Sequence, residues 1–101
     1  MNAMEKMFEK AMIDAYKTIK KECGYNASRF IQMVANKGAV AAAKQLITKP
    51  GGSDGFAVLW EHNCLDLSVE THVLMPEFYD LFTDEERQIC KEQLEQYDNR
   101  K

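Results

Sequence analysis

Long apolar runs are missing from this 101-residue chain, and no apolar stretch follows the charged residues at its beginning. A transmembrane helix needs about 20 consecutive apolar residues, so the sequence predicts no membrane span. A secretory signal needs an apolar segment of about 7–15 residues near the N-terminus, and none is present. We therefore expect a soluble, cytoplasmic protein.

Cysteine is scarce, with only Cys23, Cys64 and Cys90, and an odd number without an export signal favours free thiols. Cys64 lies near His62 and His72, but their spacing matches no zinc pattern and a fourth ligand is missing. We expect His62 to lie in a loop and His72 to be exposed on a helix. No third group is evident that could orient a Cys–His nucleophile pair. The sequence thus predicts no metal site, no cofactor and no catalytic residue, and we expect a protein that is not an enzyme.

Proline and glycine are also few, two and five residues respectively, so the chain has few obvious breaks. The clearest break, Lys49 to Ser53, is too short to separate two domains. Apolar residues make up 46% of the chain and charged residues 29%, which is typical of a globular protein. These features predict a single helical domain over residues 1–98, followed by a frayed tail at 99–101.

The first forty residues show strong helical periodicity. A helix from Ala3 to Cys23 is indicated by Asn2 as N-cap, Glu5 as its capping-box partner and Gly24 as the terminator. Its predicted core face contains Met4, Phe8, Ala11, Met12, Ala15, Ile19 and Cys23, and Met7 and Tyr16 are predicted to widen this face. A second helix should start after Asn26, as N-cap, and end before Gly38. Its predicted buried face contains Phe30, Ile31 and Val34.

The remaining segments predict four shorter or later helices. A third helix should cover Ala39 to Ile47, and a fourth should begin at Asp54 behind a Ser53 cap. A fifth should follow Asp66 or Ser68; its β-branched residues would also suit a strand, but no partner strand is evident. The last helix should begin with the capping box of Thr83 and Glu86. Together these elements predict an all-α fold, a compact single-domain bundle of five to six helices.

Several short segments between Tyr16 and Tyr97 carry a family resemblance. The most specific is Leu65-Asp66-Leu67-Ser68-Val69-Glu70, accompanied by Gly24-Tyr25-Asn26 and Ser53-Asp54-Gly55-Phe56. In these segments the chain resembles a small, functionally unassigned bacterial helical domain. Such domains occur alone or appended to larger proteins, some of them nuclease- or restriction-like. The resemblance implies a bacterial or phage setting and a stand-alone helical domain, and it transfers no activity.

Charge is distributed unevenly, although the net charge is only −3. The segment from Lys17 to Lys49 contains seven basic residues and one acidic residue, whereas the segment from Pro50 to Asp98 contains twelve acidic residues and two basic ones. The basic half suggests a patch that could contact nucleic-acid phosphates, formed by Lys17, Lys20, Lys21, Lys44 and Lys49. The acidic half suggests a second contact patch that includes Asp84, Glu85 and Glu92.

Three charged residues lie in otherwise apolar segments. Asp66 and Glu70 are four positions apart and would share a face of one helix, and Arg29 lies in the predicted second helix. Because buried charges are usually paired, we interpret Arg29, Asp66 and Glu70 as a structural polar cluster. The pairing predicted within it is an ion pair between Arg29 and Glu70.

Three functions remain compatible with these patterns. The first is a non-catalytic protein-interaction module, an accessory or regulatory component of a bacterial or phage system, whose partner is another protein. The second is a helical domain that contacts nucleic acid through the basic 17–49 segment. The third is an acidic inhibitor that occupies the basic cleft of a nucleic-acid-processing enzyme. A membrane partner is not expected.

Overall fold

The computed structural model describes residues 2–49 and 55–98, and these residues form helices and their connections. The α-helices are α1 Ala3–Cys23, α2 Ser28–Lys37, α3 Ala39–Ile47, α4 Phe56–Glu61, α5 Val69–Val73 and α6 Asp84–Asp98. Two short 3-10 helices, Leu65–Leu67 and Pro76–Leu81, complete the described secondary structure. The predicted Ser53 cap, the helix start at Asp54, most of the predicted loop and the tail at 99–101 lie outside the described residues.

The all-α prediction is confirmed for the described residues, which contain no strand. The segment Val69–Val73, whose β-branched residues would also suit a strand, is a helix. The expected number of five to six helices is too low, because the 3-10 helices at Leu65–Leu67 and Pro76–Leu81 were not anticipated as helices. Such short segments lack the 3.6-residue period on which the sequence prediction depends.

Side-chain caps fix the beginnings of the two longest helices. The Asn2 side chain accepts a hydrogen bond from the Glu5 amide at 2.8 Å, and Glu5 accepts one from the Asn2 amide at 3.3 Å. Thr83 and Glu86 form the same reciprocal pair before α6, at 3.1 and 2.8 Å. Both predicted capping boxes are thus confirmed. The predicted Asn26 cap is wrong, because the N-cap residue of α2 is Ala27, which makes no side-chain cap bond.

Helix α1 provides the largest part of the hydrophobic core. Phe8, Met12 and Ile19 have no exposed surface, as predicted from their spacing. The Phe8 ring meets the rings of Phe78 and Phe82 edge-on, with centroids 5.1 and 5.3 Å apart. Around this face α1 packs against α3, α4, α5 and both 3-10 helices, so these short elements share one core.

Helix α2 packs mainly against α3 rather than against α1. Gly38 adopts φ +86°, a conformation that favours glycine, and this single residue connects α2 to α3. Helices α2 and α3 pack against each other. The clearest contact of α2 with α1 is the stacking of Phe30 on Tyr16, whose ring centroids are 4.6 Å apart. Because α2 packs mainly against α3, the side of α2 that is nearest α1 is only partly covered.

The overall dimensions fit one globule. The radius of gyration is 12.6 Å, close to the value of about 13 Å expected for a compact domain of about 100 residues. None of the described helices combines the length and the apolar character that crossing a bilayer requires.

Replacing Phe8 by alanine should destabilise the fold by about 3–5 kcal/mol, because a fully buried ring with two aromatic neighbours leaves a cavity. Urea denaturation followed by circular dichroism would measure the change. Met7→Ala is a matched control on the same helix, because Met7, which was predicted to widen the apolar face, is 57% exposed. A loss well under about 1 kcal/mol for Phe8→Ala would contradict the central position of α1.

Candidate functional site

An open, mostly apolar surface lies between α1 and α2. It consists of two adjoining clefts with volumes of about 290 and 470 Å³, which share Ile13 and Ile31. We call this surface the α1–α2 groove. Its lining is mostly apolar and contains Ile13, Tyr16, Ala27, Ile31, Val34 and Ala35.

The exposure of Ile31 explains how the groove arises. Ile31 was predicted to be buried, but 43% of its surface is exposed, so that prediction is wrong. Helix α2 carries one apolar stripe with Phe30 and Val34, which are buried. A second stripe, Ala27, Ile31 and Ala35, follows at four-residue spacing and is only partly covered. The first stripe packs into the core, with Phe30 stacked on Tyr16 of α1, and the second stripe is left as a wall of the groove.

One end of the groove is positively charged. Lys17 and Lys20 line this end and are exposed, and neither forms an ion pair with another described residue. The N-terminus of α2 lies at the same end, beside Ala27, without a side-chain cap and without an acidic residue in its first turn. Because a helix N-terminus carries partial positive charge, it adds to the potential of the two lysines. Glu9 lies at the opposite end.

The five lysines proposed as a basic patch have different environments. Lys17, Lys20 and Lys21 are exposed towards the C-terminal end of α1, and Lys20 and Lys21 lie in its last turn, where the negative end of the helix dipole stabilises their charge. Lys44 is bonded to Glu86 at 2.8 Å and lies over the Phe82 ring, with its ammonium 5.4 Å from the ring centroid.

These contacts limit the basic surface. Lys44 lines a different cleft from Lys17 and Lys20, and Lys49 is half-buried and has interactions of its own. The exposed part of the proposed basic patch is therefore on α1.

The acidic residues proposed as a contact patch lie between the start and the middle of α6. Asp84, Glu85 and Glu92 are all exposed. Asp84 pairs with Arg87, and Glu92 accepts a hydrogen bond from Gln88 at 3.1 Å. Asp84 and Glu85 also lie in the first turn, where carboxylates stabilise the positive end of the helix. Local helix energetics therefore account for part of this charge.

The pair of Lys44 and Glu86 joins the basic half of the chain to the acidic half. Burial would raise the pKa of the Glu86 carboxyl, but hydrogen bonds from Lys44 and Thr83, together with the positive charge of Lys44, outweigh it. The pKa of Glu86 is therefore lowered from its ordinary value. This shift indicates that the charged carboxylate stabilises the contact between α3 and α6.

The residues of the predicted polar cluster differ strongly in burial. Glu70 is fully buried in α5, whereas Arg29 on α2 and Asp66 in the Leu65–Leu67 turn are exposed. Asp66 and Glu70 were expected on one face of one helix. They lie instead in two different helical segments, separated by Ser68. The ion pair of Arg29 with Glu70 stays a prediction.

The segment of the family resemblance forms a turn and a capped helix. Of its two predicted cap residues, Ser68 is the one that caps α5, by accepting a hydrogen bond from the Thr71 amide at 3.1 Å. The Ser68 hydroxyl also donates to Thr71 Oγ1 at 3.0 Å. The Thr71 hydroxyl in turn donates to the Leu65 carbonyl at 2.7 Å. Ser68, Val69 and Glu70 are fully buried, so the segment has a clear structural role.

The side chains of His62, Cys64 and His72 each bond to a backbone carbonyl rather than to one another. His62 is exposed, with Nδ1 2.9 Å from the Val58 carbonyl, and Cys64 Sγ donates to the His62 carbonyl at 3.3 Å. His72 was expected to be exposed but is only 6% exposed, with Nδ1 2.8 Å from the Ser68 carbonyl. Within the described ranges, no three His, Cys, Asp or Glu side chains are grouped closely enough to hold a metal ion.

Two thiols have strongly altered acidity. Burial, a hydrogen bond with the Cys64 thiol and the nearby charge of Glu22 raise the pKa of Cys23 to about 11. Burial, followed by the charges of Glu70 and Glu86, raises the pKa of Cys90 to about 12. Because the thiolate is the reactive form, both groups are protonated and weakly nucleophilic at neutral pH.

Comparisons of the chain with protein-family models, with curated proteins and with solved structures found no match. The resemblance to an unassigned bacterial helical domain therefore stays a prediction based on the sequence segments alone.

The pairing of Arg29 with Glu70 can be tested with a double-mutant cycle. If the two side chains form an ion pair, Arg29→Ala and Glu70→Ala should each lower the free energy of unfolding. The double variant should then lose less than the sum by about 0.5 kcal/mol or more. Urea denaturation of the four proteins measures this coupling, and additive losses would contradict the pair.

The pair of Lys44 and Glu86 makes stability depend on pH. Its contribution is present above the ordinary carboxyl pKa of 4.5 and is lost as the pH falls through the lower pKa of the folded protein. Glu86→Gln should keep the capping box but lose the attraction to Lys44. We expect this variant to be less stable than the wild type by about 0.5–1 kcal/mol at neutral pH.

This difference should shrink in acid, as measured by urea denaturation from neutral pH to below pH 4.5. Glu85→Gln is the matched control, because Glu85 is exposed in the same helical turn. A constant difference across the pH range would show that the charge of Glu86 is not responsible.

Proposed function

We propose that this chain is a non-catalytic protein-interaction module that binds a partner protein through the α1–α2 groove. Its setting would be that of an accessory or regulatory component of a bacterial or phage system. The observation that carries the proposal is the exposed apolar stripe of α2 with Ile31 at its centre, next to Ile13 of α1. Single exposed apolar residues are common, whereas a continuous apolar cleft is typical of contact sites.

The geometry of the groove favours a protein partner. Two helices form its walls, and Tyr16, which lines the groove, stacks on the buried ring of Phe30. A cleft of this kind suits the side chains of another helix. The described part of the chain has no strand edge to which an extended peptide could add.

Nucleic-acid binding is a weaker alternative. The exposed lysines of α1 support it, but the charge of Lys44 is directed to Glu86. Helix α3 buries Ala39, Ala42, Ala43, Leu46 and Ile47 and exposes few side chains that could contact base edges. The acidic-inhibitor alternative depends on Asp84, Glu85 and Glu92, and it predicts that charge reversal on α6 abolishes partner binding.

The test compares two variants in which one exposed apolar residue becomes glutamate. Ile31→Glu puts a charge into the groove, whereas Met7→Glu changes an exposed methionine that lines a different cleft, between α1 and the Pro76–Leu81 helix. Cross-linking in extracts of the native host identifies bound proteins, and calorimetry with the purified partner measures the affinity. We expect Ile31→Glu to weaken binding about tenfold or more and Met7→Glu to leave it unchanged.

Three outcomes would contradict the proposal. Equal binding by the wild type and Ile31→Glu would exclude the groove as the contact site. Loss of binding on reversal of Asp84, Glu85 and Glu92, but not in Ile31→Glu, would favour the acidic inhibitor. Salt-sensitive binding of duplex DNA that Lys17→Glu and Lys20→Glu abolish, without any protein partner, would favour the nucleic-acid alternative.

A further inference from the structure

We infer that the α1–α2 groove takes an amphipathic helix of the partner protein, with carboxylate side chains at the end that lies over Lys17 and Lys20. The inference rests on the proposed function and specifies the chemistry of the partner. Three observations support it: the shape of the groove, the position of its charges, and the burial of the apolar residues of α6 within the chain's own fold.

The length of the groove fits a short helix. Along α2 the lining extends from Ala27 to Gly38, and at about 1.5 Å per residue this corresponds to about 16 Å, or three helical turns. Apolar residues at three- and four-residue spacing on such a partner would face Ile13, Ile31 and Val34 together. A partner of this length presents three or four apolar side chains to the groove.

The charge of the groove determines which helix fits. At one end two exposed ammonium groups, those of Lys17 and Lys20, lie beside the uncapped N-terminus of α2. These charges have the same sign, and no acidic residue lines this end of the groove. An acidic partner residue here would gain from both the lysines and the helix dipole, whereas a basic residue would be repelled by both. Glu9 at the other end disfavours acidic residues there, so the charges also orient the partner.

A second copy of this chain is a poor occupant. Its acidic helix α6 has the required charge, but the apolar residues Cys90 and Tyr97 of α6 are buried in its own fold. Presenting them to a neighbour would require α6 to detach from α3 and α5. The occupant is therefore a helix of a different protein, whose apolar face is free or becomes ordered on binding.

The experiment uses the full chain and two synthetic helical peptides of about 15 residues, near the shortest length at which isolated helices form. Both peptides carry leucine at three- and four-residue spacing. One has glutamate at the remaining positions of its first turns, and the other has lysine at those positions. Isothermal titration calorimetry measures the affinities, and NMR shifts of the Ile13 and Ile31 methyl groups locate the binding site.

We expect the glutamate peptide to bind about tenfold more tightly than the lysine peptide at low salt, with shifts at both isoleucines. Raising sodium chloride from about 50 mM to about 500 mM should reduce this preference, because exposed charges are screened. Ile31→Glu should weaken binding of the glutamate peptide about tenfold or more, and Met7→Glu should not. Lys17→Gln with Lys20→Gln should weaken it about three- to tenfold, whereas Lys91→Gln, on exposed α6, should have no effect.

The outcomes separate the inference from the proposed function. Equal or tighter binding of the lysine peptide, or shifts confined to residues outside the groove, would overturn the inference. Binding of neither peptide, when the native partner binds and Ile31→Glu abolishes that binding, would overturn the inference alone. A dimer in sedimentation velocity that Ile31→Glu dissociates would identify a second copy as the occupant and would also overturn it. If no protein binds in a way that depends on Ile31, the proposed function fails as well.

Discussion

The structure depends on the burial of one face of α1, because every other helix except α6 is too short to persist alone. Helices α2 to α5 contain between five and ten residues, whereas isolated helices are marginal below about 12–15. Phe8, Met12 and Ile19 on the 21-residue α1 provide the continuous apolar surface against which most of these elements pack. The aromatic contacts of Phe8 with Phe78 and Phe82 also attach the Pro76–Leu81 segment to this face, which places the start of α6.

Helix α2 keeps an incompletely buried apolar stripe in this arrangement. It packs against α3 and meets α1 through the stacking of Phe30 on Tyr16, and its second apolar stripe gains no full cover. Fully burying an isoleucine is worth about 1.5–3 kcal/mol, so leaving Ile31 43% exposed forgoes part of that stabilisation. A partner that covers Ile31 would recover it, and this gives the groove a physical basis for binding.

The sequence predicted best those features that local interactions determine. The capping boxes at Asn2 and Thr83 and the core face of α1 follow from residues within a few positions of one another, and the structure contains them. The Asn26 cap is a local prediction that was wrong, and the other failures depend on non-local packing. Whether Ile31 or His72 is buried depends on which elements lie opposite, and periodicity carries no information about that. The assumption that Asp66 and Glu70 share a helix failed because the Ser68 cap begins a new helix between them. Ile13 was missed because it lies beside the core stripe of α1, although the four-residue spacing of Ala27, Ile31 and Ala35 could have indicated a second apolar face.

The uneven distribution of charge along the chain is resolved only in part by folding. Lys44 and Glu86 bring one basic and one acidic residue together, and Arg87 neutralises Asp84 locally, so these charges have structural explanations. Lys20 and Lys21 gain a few tenths of a kcal/mol from the end of the α1 dipole, but Lys17 lies outside that last turn. An exposed lysine is ordinary by itself. Here, however, Lys17 borders the same cleft as the incompletely buried Ile31 and the uncapped N-terminus of α2. Three features that the fold leaves unsatisfied thus meet at one place, and a single acidic, amphipathic ligand would satisfy all of them together.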